Sequence, residues 1–126
     1  MRILKALLVI VALSVVSISG AFADHKPKSY CSPSGDICLS VKNSDGKRLL
    51  SFVEAAEYVS SFNLCVTAPD GSKECKRFQV KEDGPVFSRQ VNWAKHYPDM
   101  GPGDYIVAWR SGGGTLGKRL GFHVAP

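Results

Sequence analysis

Three histidines, four cysteines and a scatter of carboxylates are the residues of this 126-residue chain whose types could carry chemistry. His25 stands in a short polar segment. His123 alternates with Phe122 and Val124, which puts it on the solvent side of a strand with Arg119, and His96 lies in the loop Lys95-His-Tyr-Pro-Asp99. An imidazole oriented by a carboxylate can act as a general base, and His96 with Asp99 is the pairing at usable spacing; the same spacing also gives an ordinary surface hydrogen bond. No G-x-S-x-G, S-x-x-K or H-E-x-x-H is present to supply a nucleophile or a metal. No catalytic or cofactor-binding residue is therefore assigned, and the chain reads as a protein that is not an enzyme. His96, Tyr97 and Asp99, with Met100 beside them, form the candidate binding loop, because loops at the end of a rigid scaffold often carry recognition, while Tyr97 fits a cap on the core equally well.

Cys31, Cys38, Cys65 and Cys75 admit zinc or disulfides. Neither close pair is spaced C-x-x-C and no His-x-x-x-His accompanies them, so no metal centre is expected. Disulfides suit an oxidising compartment. In a hairpin turning at Asp70, residues whose numbers sum to 140 face one another, and Cys65 with Cys75 meets that condition. Cys31 and Cys38 do the same about Ser34-Gly35. Directly opposed residues have Cβ atoms within disulfide reach. Cys38 and Cys65 each sit opposite their strand's apolar set, so both bridges read as outside staples. Closing such short loops contributes about 2–3 kcal/mol each.

The elements that hold these residues follow from patterning. Arg2 and Lys5 flank the start of an apolar run to Ile18, and Ala21-Phe22-Ala23 supplies an A-x-A site; residues 1–23 are expected to be a signal peptide cut after Ala23. The protein is then secreted, extracellular or held in the cell envelope, with no membrane segment after cleavage. The remaining 103 residues suit one domain, with a flexible lead-in at 24–29 and the domain at 30–126. Loss of Arg2 and Lys5 leaves 14 basic against 11 acidic residues, a net charge of +3, which is no footprint for nucleic acid. Within the domain, Ile37-Leu39-Val41, Phe62-Leu64-Val66, Phe78-Val80, Phe87-Val91-Trp93, Tyr105-Val107-Trp109 and Leu116-Leu120-Phe122-Val124 mark inward faces separated by turn residues. Leu49 to Val59 departs from this. There Leu49, Phe52, Val53, Ala56 and Val59 recur at helical spacing and Ser51-x-x-Glu54 resembles a capping box, so a short helix near 51–59 and a bent strand stand equal. The fold class expected is all-β: an immunoglobulin-like β-sandwich of about seven strands.

The stretch Gly101-Pro-Gly-Asp-Tyr-Ile-Val-Ala-Trp-Arg110, followed by Leu116-Gly117 and Leu120-Gly-Phe-His-Val124, resembles the final hairpin of bacterial immunoglobulin-like domains, most closely that of CopC-type copper-resistance proteins. That resemblance implies the fold. Its copper ligands include a histidine in a D-G-H motif between the last strands, and the matching turn here, Ser111-Gly-Gly-Gly-Thr115, has neither Asp nor His. The rest of the chain is similar to small secreted bacterial proteins of unassigned role, and by architecture to enediyne-antibiotic apoproteins. The expected function is a non-catalytic secreted interaction or structural module, a monomer with an extracellular or cell-wall partner. Alternatives are a small-molecule or metal carrier, and a small secreted enzyme inhibitor presenting the tip between Cys65 and Cys75. The cluster Lys73-Glu-Cys-Lys76-Arg77 reads either as a contact for an anionic partner or as a solvated hairpin tip.

Overall fold

Period-two patterning becomes strand from Ser29 onward. The computed structural model describes residues 26–126, so the expected signal peptide and His25 lie outside the described residues. Ten strands and one helical turn follow in chain order: β1 (Ser29–Cys31), β2 (Ile37–Ser44), β3 (Lys47–Glu54), β4 (Ser61–Thr67), β5 (Lys73–Gln79), β6 (Lys81–Asp83), β7 (Val86–Asn92), α1 (Trp93–His96), β8 (Gly103–Ser111), β9 (Gly114–Thr115) and β10 (Leu120–Val124). Seven of the strands are five residues or longer; β1, β6 and β9 are the short ones.

All pairings are antiparallel, in one sheet ordered β1-β2-β3-β7-β6 and a second ordered β10-β8-β4-β5 with β9 added beside β8. The runs β2-β3-β7-β6 and β10-β8-β4-β5 follow the A-B-E-D and G-F-C-C′ orders of an immunoglobulin-type sandwich. Only Val80 separates β5 from β6, so this stretch of chain leaves one sheet and enters the other. Tight turns set the registers. Asp45 and Gly46 both take positive φ between Ser44 and Lys47, the backbone of a two-residue hairpin loop whose twist matches its strands.

Between the sheets lie Leu50, Phe52, Leu64, Val107, Trp109 and Leu120, each at most fractionally exposed. Phe52 of one sheet meets Phe62 of the other at 5.0 Å between ring centres. Tyr105 near the start of β8 donates its hydroxyl proton to the Gly101 carbonyl at 2.6 Å and accepts from the Met100 amide at 3.0 Å. This is the tyrosine corner of immunoglobulin-like domains, and Val107 occupies the place two residues on where antibody domains carry a cysteine. The bridges are elsewhere: Cys31–Cys38 and Cys65–Cys75 join directly opposed residues of β1–β2 and β4–β5, at Cα separations of 4.1 and 4.0 Å.

No helix forms at 51–59. Lys47–Glu54 is β3, paired on both sides by β2 and β7, and Leu50 and Phe52 enter the core while Leu49 and Val53 remain half-buried on the other face. Two ladders of backbone hydrogen bonds override a local helical spacing that only one short apolar set supports. Glu54 does not cap a helix. Its Oε1 accepts from the amides of Tyr58 and Val59 at 3.2 and 3.1 Å and closes the bend after the strand. The helical turn comes at Trp93–His96 instead, where alternation suggested that β7 would continue through Trp93.

Candidate functional site

One end of the sandwich gathers the β2–β3 turn, the β4–β5 turn and the connection from β7 to β8. Trp93 anchors it. Its indole stands edge-on to Tyr105 and Phe122, both at 5.2 Å, and those two rings stack at 5.0 Å with the Arg48 guanidinium 4.3 Å over Phe122. The β4–β5 turn is tied in by a close approach: a Cβ at Gly103 would lie 2.8 Å from Pro69, and Gly103 has φ +131. Glycine is therefore required there to let the two loops touch.

After α1 the candidate binding loop divides. Tyr97 turns inward, 4% exposed, and donates its hydroxyl to the Leu64 carbonyl at 2.5 Å. Burial above all, with the negative charge of Glu74, pushes its phenol far above the ordinary range, so Tyr97 stays neutral. It plugs the gap between the sheets. Asp99 accepts from the Gly101 amide at 2.9 Å and lies 3.3 Å from the Tyr105 hydroxyl, which makes it part of the tyrosine corner. His96 goes the other way, edge-on to Phe78 at 5.2 Å. Partial burial lowers its basicity first, and the neighbouring cations Lys95, Lys76 and Arg89 lower it further. The structure thus separates His96 from Asp99, each having its own partners.

Between this loop and the β4–β5 turn runs a groove of about 180 Å³. Val66, Ala68 and the rings of Tyr97 and Tyr105 line it with Lys73 and Glu74. Met100 stands on its border and is 44% exposed, one of two large hydrophobic side chains so exposed among the described residues. The Cys65–Cys75 bridge fixes the hairpin that forms the opposite wall. Chemically the groove offers an apolar floor, a mixed-charge margin and a pinned frame.

His123 pairs with Asp104 at 2.7 Å across β10 and β8, both exposed. The cleft beside the pair is lined by Lys26, Lys28, Tyr105, Ile106 and Phe122, and the Tyr105 hydroxyl is engaged in the tyrosine corner. Among the described residues no group of three or more His, Cys, Asp or Glu converges as a metal site would require. In the glycine turn that replaces the D-G-H motif, Arg110 donates to the Gly113 carbonyl at 3.0 Å and to the Thr115 hydroxyl at 3.3 Å. No known protein family, curated protein or solved structure matches the chain.

Two contributors to the surface escaped the sequence reading. Arg89 and Lys95 join His96 beside β5, although they are distant from Lys73 and Lys76 in the chain. The signal for Arg89 was its phase: it shares the inward parity of Val91, and a cation in that row marks where the sandwich opens.

Proposed function

We propose that the protein is a secreted, non-catalytic binding module that meets its partner through the loop end of the sandwich. The observation that carries this reading is the groove between Met100 and the stapled β4–β5 hairpin, where an exposed methionine and an apolar floor sit in a frame pinned by a disulfide and a glycine contact. Methionine is adaptable and is favoured at contact surfaces. Its side chain carries the apolar floor of the groove out to the surface. The two disulfides suit an oxidising compartment, and among the described residues no helix is long and apolar enough to cross a membrane.

A photo-crosslinking residue placed at position 100 tests this. Mixed with culture supernatant and cell-wall fractions, it should give a discrete adduct that the same probe at Lys42, on a strand of the other sheet, does not give. Equal labelling from both positions would count against the groove.

A further inference from the structure

β5 is the outer strand of its sheet, and Lys73, Glu74, Cys75, Lys76 and Arg77 are exposed along it. Edge strands commonly carry lysine to prevent edge-to-edge pairing. More is assembled here than that rule needs. Arg89 reaches across from β7, its guanidinium 5.2 Å over the Phe78 ring, and donates to the Gln79 carbonyl at 3.3 Å, so it spans the open side between the sheets. Lys76 holds its ammonium 5.7 Å over the Tyr97 ring. His96 stands edge-on to Phe78 from the end of α1, with Lys95 beside it.

Three separate elements thus bring basic side chains to two aromatic rings. The carboxylate paired within the cluster is Glu74, 3.5 Å from Lys76. The other ion pair among the described residues, His123 with Asp104, joins β10 to β8 at the far side of the sheet. Like charges held together cost free energy unless an anion comes between them. Burial first, and then the positive charges of Lys95, Lys76 and Arg89, lower the basicity of His96. Lys76 shares a face of β5 with Phe78, over which Arg89 lies, whereas Lys73 alternates to the other face with Cys75 and Arg77.

We propose that this side of the sandwich binds a flexible linear polyanion, whose successive phosphate or sulfate groups meet Lys76, Lys95, His96 and Arg89. Each cation that contacts the polymer displaces a counterion from it, so affinity falls steeply with salt. The proposal goes beyond the groove at the loop end and gives the molecule a second surface with a partner class of its own.

Fluorescence anisotropy with long-chain polyphosphate and with heparin, over a salt series, tests it. Binding of either should weaken linearly in log Kd against log salt, and the tighter of the two identifies phosphate or sulfate as the oxyanion. Lys76→Gln and Lys95→Gln should each lower the salt slope by about one and weaken binding severalfold. Lys95 is an exposed residue of a surface turn, so its variant keeps the test open should Lys76→Gln perturb β5. Lys42→Gln, which removes the same charge from the other sheet, should change neither. Absence of binding, an equal loss in Lys42→Gln, or tighter binding of duplex DNA than of either polymer would overturn the proposal. So would a patch variant that self-associates with undiminished polyanion affinity, because the lysines would then be edge protection. Failure of the Met100 crosslink with polyphosphate binding intact removes the groove and leaves this surface standing. The reverse pattern leaves the groove and removes the polyanion.

Discussion

Trp109 and Glu54 show how single residues set the limits of this domain. The indole of Trp109 is fully buried, yet its Nε1 has no protein acceptor among the described residues. Leaving a buried donor unpaired costs about 1–3 kcal/mol, so volume and not hydrogen bonding accounts for tryptophan at this position. Trp109→Ala should accordingly lose about 3–5 kcal/mol through cavity formation, whereas Trp109→Phe, which discards the orphaned N–H, should lose far less. Equal losses in urea unfolding would show that the N–H matters after all. Glu54 raises the opposite issue, a carboxyl at 0% exposure with one oxygen bonded to two amides and the other unpaired. Burial raises its pKa, nearby Glu57 adds to the rise, and the Val59 and Tyr58 amides oppose it. A raised value means that the folded state keeps a proton that the unfolded chain has already lost. Its contribution is therefore complete below the ordinary glutamate value, about 4.3, and is lost as pH rises through the folded value. Melting temperature should fall across that window, and Glu54→Gln, which keeps an acceptor for both amides, should flatten the fall. An unaltered slope in the variant would assign it to other carboxylates.

At the scale of elements, the hairpins were the most legible part of the chain. Turn residues and opposed cysteines set the β4–β5 and β1–β2 registers without reference to anything distant, because both are decided by neighbours across one turn. Replacing Cys65 and Cys75 together by serine should lower stability by about 2–3 kcal/mol and preserve the fold, measured by denaturant midpoint with unchanged circular dichroism. β3 was ambiguous for a physical reason. Its apolar residues fit both periods, and only the partners β2 and β7, remote in sequence, decide between them. β1, β6 and β9 are too short to carry a period of their own. The candidate loop was legible as a segment, with Tyr97 left between a contact and a cap on the core and the role of Asp99 unread. That Tyr97 would plug the sheets and Asp99 join the tyrosine corner depends on Leu64 and Tyr105, which no local pattern links to them. Gly103 offers a test of how loops are coupled. Gly103→Ala puts a Cβ against Pro69 at a positive φ, so it should destabilise by at least about 1 kcal/mol. It should also shift the amide resonances of both loops at once. Shifts confined to Gly103 and its chain neighbours would mean the loops are independent.

For the whole molecule, the architecture implies a gradient of local stability from the middle of each sheet outward. β3, β4 and β8 are paired on both edges, and Leu50, Phe52, Leu64 and Val107 on them are fully shielded from solvent. Opening any of them exposes the joint core, so their amides should exchange with solvent only through global unfolding. β6 and β9, three and two residues long, open at the cost of few hydrogen bonds and should exchange through local fluctuations, as should the exposed stretch Pro98–Met100. β1 is the informative case. It is three residues at a sheet edge, held by its pairing with β2 and by Cys31–Cys38. Hydrogen-exchange mass spectrometry on a Cys31→Ser/Cys38→Ser double variant, which keeps Cys65–Cys75, separates the contributions: exchange should speed far more in β1 than in β8, whose protection falls only by the global stability that the edge staple supplies. If β8 instead lost protection in step with β1, the edge staple would be supporting the entire sandwich, and the loop end would lack the independent rigid frame on which its use as a contact surface depends.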